Sequence, residues 1–556
     1  MIRQLIILCA VATALCAPTF SQENPAEHAH ASSASAAKNK TATLMAGYGN
    51  WRHPVSTKNI QAQAFFDQGL RQIYAFNHDE AARSFQRAGE LDPKLAMAYW
   101  GVAEAVGPNY NDPASDDRFM KAHAAIAKAQ ELAADASASD KAYIAALAKR
   151  FPGEAGADRR AAAEAYRDAM REVVKQFPDD LDAATLFAEA GMDLHPWGLW
   201  HPDGTPEQGT EEIVATLESV IRREPNHMGA VHYYIHAVEA SNSPERALAG
   251  ANRLAQLAPA AGHIVHMPAH IYIRTGDYEA AAKTNEKAAL ADQAYLKASA
   301  AEGIYPLMYY SHNLHFIAMS AAMDGNYLEA KHGAQLLAAN VSPHVKEMPG
   351  LGGFLTVPLA VEVRFHKWNE ILKIPQPDAD TAKVFWHFAR GMALAATDKL
   401  DDADAEYKVV KEAEEKTSPE AIFQMPINNK TKDILKIAEN VLGAKISFVK
   451  NDMDGAVKQL RAAVEVQDRL KYNEPQDWFY PVRETLGAVL LTIGDNAGAE
   501  EVFRADLQRT ARNPRSLFGL EQALKAQDRG YDAGWVRKQF DASWKGGAPP
   551  KVDDLV

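Results

Sequence analysis

The chain is nearly devoid of cysteine: Cys9 and Cys16 are its only two. Both lie in an N-terminal apolar run, so the chain beyond residue 21 carries no thiol. That excludes disulfides, thiolate metal ligands and a cysteine nucleophile there. Imidazole, carboxylate and backbone oxygen remain as metal donors. An excess of basic charge is also lacking. Lys and Arg number 59 against 72 Asp and Glu, for a net charge of −13. Little offsets phosphate charge, so no nucleic-acid partner is expected. No later apolar run approaches the about 20 residues that a membrane span requires. A P-loop, a convincing Rossmann fingerprint, a His-Glu-x-x-His helix and a Gly-x-Ser-x-Gly elbow are all missing, which disfavours those enzyme classes.

What is present begins with a leader pattern. Arg3 is followed by an apolar run from Leu5 to Cys16, and Thr19-Phe20-Ser21 precedes Gln22. This predicts a Sec-type signal over residues 1–21 and an exported chain, periplasmic or secreted, of bacterial type. Residues 22–45 are rich in Ala, Ser, Lys and Thr and are expected to form a flexible tail. Glu27-His28-Ala29-His30 falls there and is expected to be solvated rather than a metal trap.

From about residue 60 apolar residues recur at three- and four-residue spacings, the pattern of amphipathic helices. Gly69, Ala81, Phe85, Ala88 and Pro93 stand at relative offsets 0, 12, 16, 19 and 24. Small residues at offsets 0 and 12 let two helices of a hairpin approach closely. Phe85 would fill the gap to the next unit, and Pro93 would stop the second helix. Further units start at Met228 and Gly262, 34 residues apart, and another is set by Gly325, Tyr327 and Ala330. Weaker units fall at Val384–Ala413 and Tyr480–Pro514, while 110–225 and 340–380 fit poorly. On these residues the chain resembles the tetratricopeptide repeat proteins, whose unit is about 34 residues. The resemblance implies an all-α, right-handed α-solenoid of TPR helical hairpins with inserted loops. First helices would line a concave groove and second helices the back. The expected divisions are an N-terminal TPR-like region at 46–225, a histidine-rich core at 226–340 and a C-terminal TPR-like region at 341–556.

Histidine carries the chemistry. Seven of the 19 histidines lie between His232 and His315. The resemblance implies that positions 2, 5 and 9 of each first helix face the groove. With register set by Pro259, Gly276 and Gly325, those positions hold His232 and His236 in one unit, His263, His266 and His270 in the next, and His312 and His315 in a third. Gly229 and Met319 are the two exceptions. Spacings of three, four and seven residues share a helix face, and first helices pack about 8–10 Å apart. Imidazoles from neighbouring units are then expected to converge on transition-metal ions, with copper, iron or zinc all open. Copper or iron would point to oxidation with dioxygen, zinc to hydrolysis. A metal-free groove for a small molecule or peptide, and metal storage or delivery, stay open as alternatives. Two features strain the register. Pro268 interrupts the helix between His266 and His270, and Ser311 follows Gly262 by 49 residues rather than 34.

Other groups are candidates around the histidines. Glu239 shares a face with His236 and is open to three roles: ligand, general base, or partner orienting an imidazole. Arg274 is a candidate anchor for an anionic substrate. Tyr233, Tyr234, Tyr309 and Tyr310 are expected to pack between helices. The His195-Pro196-Trp197 loop, with Trp200-His201, is a candidate lid able to lend a ligand. Asn109 to Asp112 is too unlike an EF-hand to suggest calcium. His78, His344, His366 and His387 are expected off the groove.

Overall fold

The computed structural model describes residues 41–153, 157–299, 301, 303–424 and 429–556. The leader at 1–21, and the tail at 22–45 apart from its last five residues, lie outside the described residues. From Thr41 to Val556 the chain forms one unit. Its elements are α-helices joined by turns, with no strand among the described residues and three isolated bridges. Each helix packs on its successor: Ile60–Tyr74 on His78–Leu91, that helix on Ala96–Val106, and onward to Pro514–Ala526 on Gly530–Ser543. This is an all-α solenoid of helical hairpins with inserted loops. The stretch 110–225, which lacks the signature residues, also folds into helices, among them Asp116–Leu132, Ala138–Arg150 and Arg159–Gln176. Repeat signatures are one way to make a hairpin; any apolar stripe of period 3.6 suffices.

The Phe85 expectation has a direct physical form. A Cβ on Gly69 would lie 2.6 Å from the Phe85 ring, and one on Gly101 of the next unit 2.3 Å. The ring fills the space that two glycines leave, and it is fully buried. Phe503 repeats the device between Gly487 and Gly519, at 2.4 and 2.1 Å.

The turn between the two helices of a hairpin needs one residue of positive φ. Gly276, Gly325 and Gly494 supply it in three units, and Asp398, Asn451 and Asp528 in three more. These residue types tolerate the left-handed region. In the first hairpin the position is Phe76, at φ 54°, a bulky residue in an unfavourable conformation.

Buried apolar side chains fall into two clusters. One runs from Ala42 to Ile271 and takes in Tyr295 and Tyr305. The other runs from Ala269 to Val556. Met267 and Ile271 belong to the first, Ala269 and Ile273 to the second, so the chain around His270 is the seam between the cores. Pro268 kinks this seam without breaking it. Gly262–His266 and Pro268–Thr275 are joined through Met267 at φ −52°, ψ −35°. The Met267 N–H donates to the His263 carbonyl at 3.1 Å and the His270 N–H to the Met267 carbonyl at 3.2 Å. The extra residues before Ser311 are absorbed by the 22-residue helix Tyr278–Ser299 and a π-helical turn at Tyr305–Tyr309. Ile60–Tyr74 also packs against Met228–Val238, so the first hairpin covers a histidine-bearing helix.

Candidate metal centre

The seven histidines resolve into two triads and one outlier. His232 and His236 from Met228–Val238 meet His263 from Gly262–His266, their ligand nitrogens all within 4.8 Å of one another. His266 and His270, on either side of the kink, meet His312 from Tyr310–Asp324 within the same limit. The triads adjoin: the ring centroids of His263 and His266 are 5.6 Å apart, as are those of His236 and His270. His315 stands apart, edge-on to Phe354 at 5.6 Å. It shares a helix with His312 but belongs to neither group.

Each triad rests on a phenyl ring. Phe76 lies 4.5, 5.6 and 5.2 Å from the rings of His232, His236 and His263. Phe316 lies 4.7, 4.9 and 4.9 Å from those of His266, His270 and His312. The unfavourable φ of Phe76 is thus explained: that backbone conformation aims its ring under the first triad.

The imidazoles are held from behind. His232 Nδ1 donates to the Tyr74 carbonyl at 2.6 Å. His236 Nδ1 donates to Glu239 Oε1 at 2.8 Å, and His270 Nδ1 donates to Glu239 Oε2. One carboxylate therefore orients a ring in each triad. His266 Nδ1 lies 2.7 Å from Asn285 Oδ1. The Asn285 amide has a fixed orientation, because its Nδ2 donates to the Ala281 carbonyl at 2.8 Å. Acceptors behind these four rings place the ring proton on Nδ1 and leave the Nε2 lone pair facing inward. The Nε2 atoms of His266 and His270 are 2.7 Å apart and those of His232 and His263 3.0 Å. His236 Nε2 is buried without a hydrogen-bond partner among the described residues.

Burial first, then neighbouring imidazoles, hold His232, His263, His266 and His312 well below the usual histidine pKa. Burial also lowers His236, against the pull of Glu239, and drives His315 to about 3. Neutral imidazole is the form that binds metal. Burial would raise the Glu239 carboxyl, but the His270 and His236 rings hold it below the ordinary glutamate value. Both Glu239 oxygens are engaged by ring nitrogens, a geometry that suits the orienting role among the three expected of it, and with His270 and Glu474 it also forms a group close enough to hold an ion.

The triads open on a cavity of about 290 Å³, which His236, His263, His270 and His312 line from one side. Arg274 is not there. Its guanidinium donates to the Glu239 and Ser241 carbonyls at 2.9 and 3.0 Å, and it lines a separate cavity of about 430 Å³. Trp197 reaches the histidine cavity, while His195 faces Arg160 and His201 faces Glu207, both away from the triads. Of the four tyrosines only Tyr309 lines the cavity.

Sequence reasoning missed several members. Glu474, from the loop after Met453–Arg469, is buried with its carboxylate 3.3 Å from His270 Nδ1 and lines the cavity. Burial and the Glu239 charge push its carboxyl well above the ordinary glutamate value. His78, set aside as off the groove, lines the cavity and stacks on Phe76 at 5.8 Å. No local pattern marks Glu474 or the Tyr74 carbonyl. Phe76 had one available signal, a bulky residue at a turn position where six other units carry Gly, Asn or Asp and one carries His366.

No family model matches the sequence, and no curated protein matches it. Among solved structures the chain is similar to human IFIT1 bound to m7Gppp-AAAA, at 10% identity over 88% of this chain and 91% of that one, with a TM-score of 0.30. It is similar to yeast Tom70 at 12% identity over 90% and 94%, TM-score 0.26. It is also similar to the TPR domain of P58(IPK) at 12% over 84% and 98%, TM-score 0.22. The helical-hairpin architecture is read from this chain's own helices and their packing, and the chemistry of the histidine site from its own residues.

Proposed function

We propose that this chain is an exported metalloprotein in which each histidine triad would hold one transition-metal ion, and that the two ions would pass electrons from a small molecule in the adjoining cavity to dioxygen as the oxidant. The observation that carries the reading is the 2.7 Å approach of His266 and His270 through Nε2. Both Nδ1 atoms face acceptors, so two lone pairs point at each other. Two acceptors at that distance repel, and a cation between them turns repulsion into coordination. The orphaned Nε2 of buried His236 makes the same demand in the first triad.

The donor set favours copper. All six donors are imidazole, and Glu239 is spent behind the rings rather than in the shell. The non-haem iron sites that activate dioxygen take a carboxylate ligand. Three protein donors per triad would leave an ion short of a full shell, as catalysis requires and storage does not. A peptide-holding groove is disfavoured because the triad histidines, His312 apart, are at most 4% exposed. Export rests on the Arg3 to Ser21 sequence pattern.

Elemental analysis of protein purified without an affinity tag and reloaded with copper tests the reading. The expected result is two ions per chain. Less than about 0.2 ion per chain defeats it. His236→Ala and His270→Ala should each lose at least one ion while far-UV helicity holds; full loading of both variants would show that the ligand set is wrong.

A further inference from the structure

We infer that the cavity in front of the triads is a slot for a neutral, aromatic-bodied small molecule and that it turns anions away. Treating that molecule as the substrate rests on the metal reading above; the slot itself does not.

The argument starts from size. About 290 Å³ is at the small end of the roughly 300–1,000 Å³ typical of small-molecule clefts. The walls are rings. Phe76, Trp197, Tyr309 and Phe354 all line it. Trp197 sits 5.6 Å from His236 and Tyr309 sits 5.0 Å from His263, centroid to centroid. Asn111 clamps the two rings across the opening. Trp197 Nε1 donates to Asn111 Oδ1, and Asn111 Nδ2 donates to the Tyr309 hydroxyl oxygen, each at 3.1 Å. Two of these rings are held at a cost in backbone energy, Phe76 at φ 54° and Trp197 at φ 58°. Strain of this kind survives where the surrounding structure imposes it, and it gathers at ligand sites.

Charge sets the selectivity. Asp79 and Asp112 line the cavity with a single Lys or Arg side chain, Arg118. That guanidinium is already committed: it donates to Asp112, and to the Val106 and Gly107 carbonyls at 3.0 Å each. An incoming carboxylate would meet a guanidinium whose charge is already offset by Asp112, and would pay most of its desolvation unaided. The other polar lining is imidazole and amide, the amides coming from Asn77, Asn109, Asn111, Gln424 and Asn473. Amides suit a neutral hydroxyl, so a phenol-like molecule fits and a benzoate-like one does not.

The test is a calorimetric titration of the full metal-free chain with p-cresol and with benzoate, which share a ring and differ in charge. The expected result is p-cresol binding at least about ten-fold tighter than benzoate. Trp197→Ala, with helicity unchanged, should weaken p-cresol by about ten-fold or more. Benzoate binding as tight as p-cresol, an absence of p-cresol binding, or a Trp197→Ala chain that binds p-cresol like wild type would overturn the inference. Should Trp197→Ala fail to fold, the p-cresol to benzoate ratio on the wild-type chain decides alone. Metal loading is measured beside it. A chain that takes p-cresol but no metal upholds the slot and sinks the metal centre; a chain that loads metal and ignores p-cresol does the reverse.

Discussion

Imidazole has two nitrogens, and this chain uses them differently. In His232, His236, His266 and His270, Nδ1 is tied to a fixed acceptor behind the ring, and Nε2 is left to face inward. Glu239 does this for one ring in each triad. Glu239→Gln keeps the size but leaves an amide that must offer an acceptor to both rings. Copper affinity, read by competition with a chelator, is expected to fall about 10–100-fold with helicity unchanged. Unchanged affinity would mean that the carboxylate positions nothing. His315 supplies the contrast. It lies off both triads, so His315→Ala should leave the ion count at two, whereas His266→Ala should lower it. At this scale the sequence showed what its spacing could show. Histidines three, four and seven apart share a face, and with the groove positions that the resemblance implies this named the six triad members, but it named His315 as well, which lies off them. Asn285, the Tyr74 carbonyl and Glu474 were not, because each comes from a different helix or loop and is brought in only by packing.

Hairpins are the element of this molecule, and two aromatic residues show their two uses. Phe85 fills the space between Gly69 and Gly101. Phe85→Ala should cost about 3–5 kcal/mol in chemical denaturation. Phe76 fills no such gap; it trades backbone comfort at the turn for a ring beneath His232, His236 and His263. Phe76→Asn, a residue that tolerates the turn, should cost less stability than Phe85→Ala and lose copper from the first triad selectively. Equal loss from both triads would contradict the assigned role. The offsets of Gly69, Ala81, Phe85 and Pro93 made the hairpin legible. The repeat register of the helices at 116–192 was not legible, although the region was expected to be helical, because amphipathic stripes without signature residues carry no register. Pro268 reads as a helix break in sequence, yet Met267 stays helical, since only one backbone donor is lost and packing in the seam between two cores offsets it.

Across the whole chain, residues distant in sequence are tied by a few buried polar joints. His53, before the first helix, donates from Nδ1 to Asp182 at 2.8 Å, and Trp51 and the Tyr74 hydroxyl converge on the same carboxylate. Burial alone would lower His53, but the Asp182 hydrogen bond and charge raise it to about 9. Its folded pKa lies above the unfolded value of about 6.5, so its stabilisation is full below about pH 6.5 and is lost as pH rises through 9. The amount is on the order of 3 kcal/mol. Melting temperature should therefore decline between about pH 7 and 9.5, and His53→Asn should flatten that decline; the same slope in the variant would contradict the assignment. Because Tyr74 also holds His232 through its carbonyl, this joint braces the first triad.

Binding of two ions at the seam between the cores should raise the melting temperature as well, by about 2.7 kcal/mol of stability per site at a hundred-fold excess over Kd. The most direct test of the central claim is an anomalous difference map, recorded at the copper edge, from crystals of the reloaded chain. Two peaks per chain are predicted, one among the Nε2 atoms of His232, His236 and His263 and one among those of His266, His270 and His312. A map with no peak in either triad, or with its density elsewhere on the molecule, would contradict the account.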